Sequence, residues 1–333
     1  SVLAAGRAAR RALDDARERV AHLLDCEPDE VIFTGGATEA NNLAVFGLRP
    51  VSTAPRVVAS PLEHPCVIEP LKHLRGVAVD WLPVSNSGVV EVGGLAPDPE
   101  VRFATVMLAN HETGAVQPVR AIVDALPGVP VHTDAAQAVG KMPVSVRKLG
   151  VAALTASGHK FGGPKGVGLL VLRRGTPFRT TTLFGGNQQG GRRAGTEAVP
   201  LAVGFAVALE LAVRDMEANL AKWAALRSRL IAQLSGGVVN GPPDGLPTVL
   251  NVSFPGVRAD LLLMALDLDG VACSAGAACS SGSLLPSPVL RAMGLPMEVV
   301  RSAVRFSFGR DTDFADIDEA AGRITRAVER TRG

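Results

Sequence analysis

Lysine is scarce in this chain of 333 residues: six stand against 28 arginines. Arginine holds its proton throughout the physiological range, so chemistry that needs a titratable amine has only six candidates. Cysteine is scarce as well. Cys26, Cys66, Cys273 and Cys279 form no CxxC pair and show no zinc-ligand spacing, which argues against a disulfide scaffold or a metal site and for a reduced, cytoplasmic protein. Neither sign of charge dominates. The formal net charge is +2 and no long basic run occurs, so nucleic acid is a poor candidate partner. The longest apolar stretch, Leu201 to Val213, is interrupted by Glu210 and is too short to span a bilayer, so no membrane partner is expected. The opening residues do not read as a signal peptide, and no internal repeat or low-complexity segment appears. What remains is 47% hydrophobic and 20% charged, the composition of a globular chain long enough for two domains.

Short β-rich runs alternate with helical patterns through the first two-thirds. Val31 to Phe33, Arg56 to Ala59, Arg102 to Leu108, Val129 to His132 and Val167 to Leu172 read as continuous apolar, buried strands, with helical patterns such as Thr38 to Gly47 and Val119 to Leu126 between them. That alternation predicts an α/β fold with a mostly parallel sheet flanked by helices. One long helical stretch, about Leu201 to Leu234, follows and ends at Gly236-Gly237 and Gly241-Pro242-Pro243. Strand candidates Thr248 to Phe254 and Ala303 to Phe308 and a final amphipathic helix capped near Thr312 or Asp313 complete a smaller α+β domain. The expected division is 1–215 and 216–333.

Three segments carry chemistry. In Phe33-Thr34-Gly35-Gly36-Ala37-Thr38 a strand runs through two glycines into a helix. Such a turn brings backbone N–H groups close to an anion, with the Thr38 hydroxyl as a further donor, although a plain tight turn gives the same pattern. In Val131-His132-Thr133-Asp134-Ala135-Ala136-Gln137 an acid closes a buried strand, where open α/β sheets place ligands; a helix-capping Asp is the alternative. In Ser157-Gly158-His159-Lys160-Phe161-Gly162-Gly163 a lysine lies among small residues and a histidine. Such surroundings desolvate an amine and suit it to bond an aldehyde. Lys165 is the rival amine.

Phosphate cup, strand-end acid and lysine in that order resemble the class V pyridoxal-phosphate aminotransferase superfamily. More closely, they resemble cysteine desulfurases of the NifS/IscS type and their selenocysteine lyase relatives. The resemblance runs from about residue 1 to about 330 through the GATEANNLA segment, Glu63-His64-Pro65, Asp134 to Gln137, Ser157 to Lys160, Arg192 to Glu197, the Ala277-Ala278-Cys279 loop and Arg305 to Arg310. It implies the fold type I architecture of pyridoxal-phosphate transferases. Lys160 is then the amine that bonds pyridoxal 5'-phosphate and moves the Cα proton. Asp134 pairs with the pyridine nitrogen, His64 stacks on the ring and Gln137 bonds its hydroxyl. Ala37, Thr38, Ser157 and His159 hold the phosphate, and Thr196 reaches the phosphate of a partner subunit, which implies a homodimer. Arg305 grips the substrate carboxylate. Bland readings persist for His64 as a helix-start residue and for Arg305 as an ion-pair residue, and Arg193 stays open between a carboxylate contact and a salt bridge.

Cys279 lies among small and polar residues from Ser274 to Ser287, a composition that favours an exposed loop. It matches the family's sulfur-accepting segment. The resemblance therefore implies conversion of L-cysteine to L-alanine, with sulfur held as a persulfide on Cys279 and passed to an acceptor protein or small thiol. Cys273 reads as the end of an apolar strand and, like Cys26 and Cys66, as structural. The pattern is broken in two places. Asn110-His111 stands where the family has Asn-Asn, which puts His111 at a position that contacts cofactor or substrate carboxylate and bears on substrate preference. An aspartate-x-x-alanine-threonine-threonine element precedes the point where this sequence opens in family members, and it helps to complete their active site. Selenocysteine lyase activity, a transaminase or lyase without persulfide storage, and a non-catalytic partner in a sulfur-transfer assembly are the competing readings.

Overall fold

The computed structural model describes residues 3–49, 55–179, 181–276 and 285–332. Cys279 and its loop neighbours at 277–284 lie outside the described residues. The chain divides into two compact units. The first takes Ser1–Pro83, Val92–Ala109 and Gln117–Met216, the second Val84–Glu91, Asn110–Val116 and Glu217–Gly333. The second unit thus recruits two short segments that a single cut near 215 assigns to the larger domain.

The first unit is built on seven strands: β1 Val31–Thr34, β2 Arg56–Ala59, β3 Ala78–Trp81, β4 Val101–Thr105, β5 Val131–Asp134, β6 Ala153–Ser157 and β7 Gly168–Leu172. They lie in the order β1-β7-β6-β5-β4-β2-β3. Pairings from β6 through β3 are parallel, and β7 runs antiparallel to both β1 and β6. Two reversals restore direction, so β1 points the same way as β6. The carboxyl ends of β1, β2, β4, β5 and β6 therefore share one edge of the sheet, the edge at which open α/β sheets present ligand-binding loops. Helices pack on the strands because both faces are apolar: Ile32, Leu43, Ala44, Val57, Phe103 and Leu170 are all 0% exposed. Each such aliphatic side chain contributes about 1.5–3 kcal/mol by leaving water. Phe205 packs edge-on against Phe161 at 5.0 Å and Phe33 at 6.2 Å between ring centres, which seats the helix Val199–Arg214 against the strand–turn segments that carry the site.

The stretch expected as one helix is two, Val199–Arg214 and Met216–Gln233. No glycine or proline marks the break. Asp215 leaves helical geometry at ψ 6° and its carboxylate pairs with the Arg214 side chain at 2.7 Å, a local bond of the kind that competes with a helix. The second unit holds the antiparallel strands β8 Val238–Asn240, β9 Val249–Ser253 and β10 Ala303–Ser307 in the order β10-β9-β8. Trp223, Leu226, Leu250, Val252, Leu262, Val304 and Ile324 form its core. Its last helix, Phe314–Thr331, begins at a capping box between Asp313 and Asp316. Cys273 is not in a strand; the next residue, Ser274, forms an isolated bridge to Arg305. Among the described residues no helix is long and apolar enough to cross a membrane.

Gly168 opens β7 directly behind the first glycine turn. A Cβ there would lie 2.5 Å from the Gly36 carbonyl carbon and 2.7 Å from the Ala156 carbonyl oxygen. Backbone atoms yield little, so Gly168→Ala is expected to lower the unfolding free energy by about 1–3 kcal/mol, as read by urea titration.

Candidate active site

Each element at the shared edge delivers one part of the site. β1 ends at Thr34, and Gly36 follows with φ +153° and ψ 175°, a conformation open to glycine almost alone. It turns the chain into the helix Ala37–Gly47, which no side chain caps. The N–H groups of its first turn and the helix dipole thus face outward as an anion cradle. Glu39 folds back to accept from the Gly35 N–H at 2.7 Å and pairs in a two-pronged fashion with Arg193 at 2.7 and 3.2 Å. Arg193, open on sequence grounds, is thereby an ion-pair residue within this unit. Thr38 is exposed and Ala37 half-buried.

β2 leads through Glu63 to His64, the N-cap of the helix Pro65–Lys72, where Pro65 needs no N–H partner. The Cys66 backbone N–H donates to His64 Nδ1 at 3.1 Å, and the Cys66 sulfur lies 2.9 Å from the same nitrogen. A neutral His64 accepts at Nδ1 and carries its proton on Nε2. Burial lowers its proton affinity, Asp134 raises it and Lys160 lowers it.

β5 ends in Asp134, which is 5% exposed. Its Oδ1 accepts from the Ala136 N–H at 2.9 Å and its Oδ2 from Asn41 Nδ2 at 2.8 Å. Burial pushes the Asp134 carboxyl above the ordinary range, while these two bonds and the charges of His64 and Lys160 pull it back. β6 ends in Ser157, whose hydroxyl lies 2.9 Å from His159 Nδ1. Lys160 follows in the short helical turn Gly158–Phe161, half-buried, whereas Lys165 is exposed. Partial burial and then Lys160, Lys165 and Lys141 lower the proton affinity of His159. Gln137 accepts from Lys141 at 2.7 Å, and Thr196 is exposed. A buried anion, a half-buried amine beside it in the electrostatic sense, and an uncapped helix start at one sheet edge form a donor set that fits a phosphorylated, cationic aromatic aldehyde.

Sequence reasoning passed over four neighbours. Asn41, His132 and Thr155 are 0% exposed and join Asp134 in one hydrogen-bond network. Glu63 is also buried; the Met107 N–H donates to its Oε1, and Oε2 finds no partner among the described residues. Burial and then the Asp134 charge push the Glu63 carboxyl well above the ordinary range. The available signal was polar residues inside runs that otherwise read as fully buried strand or helix. Cys66 takes a hydrogen bond from Asn41 at 3.1 Å, and burial raises its thiol to about 12.

The second unit by itself gathers His111, Glu112, Ser287 and Arg305. Arg305 Nη1 donates to the His111 carbonyl at 3.1 Å, and Arg305 and Ser274 exchange backbone hydrogen bonds at 3.0 and 2.6 Å. Asn110 spends its side-chain oxygen on the N–H groups of Glu112 and Thr113. Glu112 is fully buried and accepts from the Ser287 hydroxyl at 2.6 Å, and burial raises its carboxyl.

Comparison with known proteins agrees with this geometry. The sequence profile of the aminotransferase class-V family matches residues 1–320. The chain belongs to that family. Within it, the chain is 42% identical to the mitochondrial cysteine desulfurase of Arabidopsis thaliana over 97% of its own length and 74% of that protein. It is 39% identical to the IscS-like cysteine desulfurase of Mycobacterium tuberculosis over 100% of its length and 89% of that protein. A solved NifS-like protein superposes with a TM-score of 0.92 at 33% identity, covering 99% of this chain and 90% of that one.

Glu63 sets a pH test. Its folded-state proton affinity exceeds that of the unfolded chain, so its contribution is present below pH 4.5 and is lost as pH rises, at about 1.4 kcal/mol per unit while the unfolded carboxyl alone ionises. Glu63→Gln keeps the acceptor for Met107 and removes the proton. Its unfolding free energy should match the wild type near pH 4 and exceed it increasingly toward pH 8 in denaturant titrations.

Proposed function

We propose that this protein is a pyridoxal-phosphate-dependent cysteine desulfurase that converts L-cysteine to L-alanine and stores the sulfur as a persulfide on Cys279. One observation carries the reading: Asp134, His64 and Lys160 stand at the same edge of the sheet as the uncapped glycine turn, in a chain that belongs to the class-V aminotransferases. Pyridoxal 5'-phosphate, when bound, supplies a cationic ring that accepts the electron pair released at the substrate Cα. Asp134 would pair with the ring nitrogen, the Ala37–Thr38 turn with Ser157 and His159 would hold the phosphate, Gln137 would bond the ring hydroxyl, and His64 would contact the ring. Lys160 would hold the cofactor aldehyde, and its amine would take the substrate Cα proton. Arg305, with His111 beside it in sequence position of an asparagine, orients the substrate carboxylate. The Cys279 thiolate then attacks the sulfur of L-cysteine. An S–S bond forms, the Cβ–S bond breaks, and the carbon skeleton leaves as alanine after taking up a proton.

The other three thiols support Cys279 as the sulfur carrier. Burial raises Cys26 and Cys66 to about 12 and Cys273 to about 11, so none supplies much thiolate at neutral pH. A sulfur-acceptor protein or small thiol removes the persulfide. A homodimer, with Thr196 reaching the partner's phosphate, is supported by the exposed apolar side chains Leu183, Phe184, Val207 and Leu211 in the first unit. Three free thiols among the described residues fit a cytoplasmic site of action.

The test is alanine and sulfide formation from L-cysteine with a thiol reductant. Lys160→Ala should reduce both by about 10²–10⁴-fold, the usual contribution of a positioned base. Cys279→Ser should cut sulfide from cysteine at least about tenfold. Full turnover in Cys279→Ser indicates a lyase or transaminase without persulfide storage. A colourless protein with no turnover indicates a non-catalytic partner, and a marked preference for selenocysteine indicates a lyase for selenium.

A further inference from the structure

Beneath Asp134 lies a row of buried polar side chains with no assigned part in the reaction. Asn41, Thr105, His132 and Thr155 are each 0% exposed. Asn41 Nδ2 lies 2.8 Å from Asp134 Oδ2, the Thr155 hydroxyl donates to Asn41 Oδ1, the same hydroxyl lies 3.4 Å from His132 Nε2, and the Thr105 hydroxyl lies 2.8 Å from His132 Nδ1. The row crosses the sheet: Thr105 is on β4, His132 and Asp134 on β5, Thr155 on β6, and Asn41 on the covering helix.

With Asp134 ionised, the direction of every bond follows. An ionised carboxylate only accepts, so Asn41 must present its NH₂ to Asp134 and its carbonyl oxygen away. That oxygen needs a donor, and Thr155 supplies it. Thr155 has then spent its single proton and can only accept from His132, which places the imidazole proton on Nε2. His132 is buried in full and its proton affinity falls to about 3, so the ring is neutral and Nδ1 is a bare lone pair that accepts from Thr105. We propose that Thr105, His132, Thr155 and Asn41 form a one-way hydrogen-bond chain that holds Asp134 as an ionised, acceptor-only carboxylate, with His132 fixed as the Nε2–H tautomer. These four are positioning residues. Chains of aligned hydrogen bonds polarise one another, and each bond here is oriented to favour the anion that a pyridinium requires. The functional half of the proposal rests on the cofactor reading above; the direction of the chain rests on an ionised Asp134 alone.

Two measurements test it. Two-bond ¹⁵N–¹H spectra of histidine-labelled protein report the tautomer of His132, assigned by its loss in His132→Gln. The expected result is a protonated Nε2 and an unprotonated Nδ1; a protonated Nδ1 overturns the chain. In the cofactor-loaded protein, Thr155→Val should lower kcat for alanine formation about tenfold, the effect of one lost hydrogen bond to a charge-bearing network, with KM for L-cysteine within about twofold. Thr155→Ser should restore the rate. Equal rates in the two variants overturn the positioning role. If wild type forms no alanine, the proposed activity fails, and the tautomer then decides the chain alone: Nε2–H supports it and Nδ1–H refutes it. The same measurement decides if Thr155→Val does not fold.

Discussion

The Asp134 carboxylate is a charge that the sheet edge must keep out of water. An ion buried without partners costs several kcal/mol even after the protein relaxes, and a nearby carboxyl, Glu63, adds repulsion. Two hydrogen bonds from Ala136 and Asn41, each worth about 1.5–3 kcal/mol when one partner is charged, are of the size needed to stabilise it. The two acids differ in their support: Asp134 takes two donors, which offset part of its desolvation, while Glu63 has one and its carboxyl is pushed well above the ordinary range. The amine of Lys160 stands in the same field and favours ionisation of Asp134.

That support depends on the strand ends and the turns that follow them holding their places. Hydrogen-bond partners must hold their places to within a few tenths of an ångström to counter desolvation. Residues on β4, β5 and β6 are held by ladder bonds on both sides. The anion cradle uses the same rigidity differently. Gly36 reaches a backbone conformation barred to other residues, and Gly168 lets the β7 backbone pass behind it. Both glycines are therefore part of one device, although 132 positions apart in chain numbering by way of an antiparallel pairing of β1 with β7.

Much of this was legible in the sequence, and what was missed has physical reasons. β1, β2, β4, β5 and β7 announce themselves as apolar runs. β6, Ala153–Ser157, is equally buried but is made of Ala, Leu, Thr and Ser, small residues whose strand signal is weak. β3 is an edge strand with no buried residue, and β8 has three residues. Asp134 and Lys160 were legible because strand-end and glycine-rich contexts flag them. Asn41, His132 and Thr155 were not, because a polar side chain within a strand or helix takes its meaning from partners 23 to 114 positions away. The segments 84–91 and 110–116 joined the second unit against expectation for a similar reason: Gly114 and Leu246 bond through their backbones, with the Leu246 N–H donating to the Gly114 carbonyl at 2.7 Å, a contact no local pattern encodes.

The same logic bears on sulfur. Carrying a sulfane sulfur calls for a thiolate, and a thiolate is another anion. Where the structure describes a cysteine, burial works against that state: Cys66 lies against Asn41 and His64, and burial first and then the Asp134 charge push its thiol up to about 12. A nucleophilic thiol in that position would compete with Asp134 for the Asn41 amide and for the positive charge of Lys160. In the proposed reaction the sulfur-carrying thiolate belongs instead to Cys279, in a segment rich in serine, glycine and alanine far along the chain. On the proposed reading, the electron-accepting half of the reaction is a property of the rigid first unit, where Asp134, His64 and Lys160 lie.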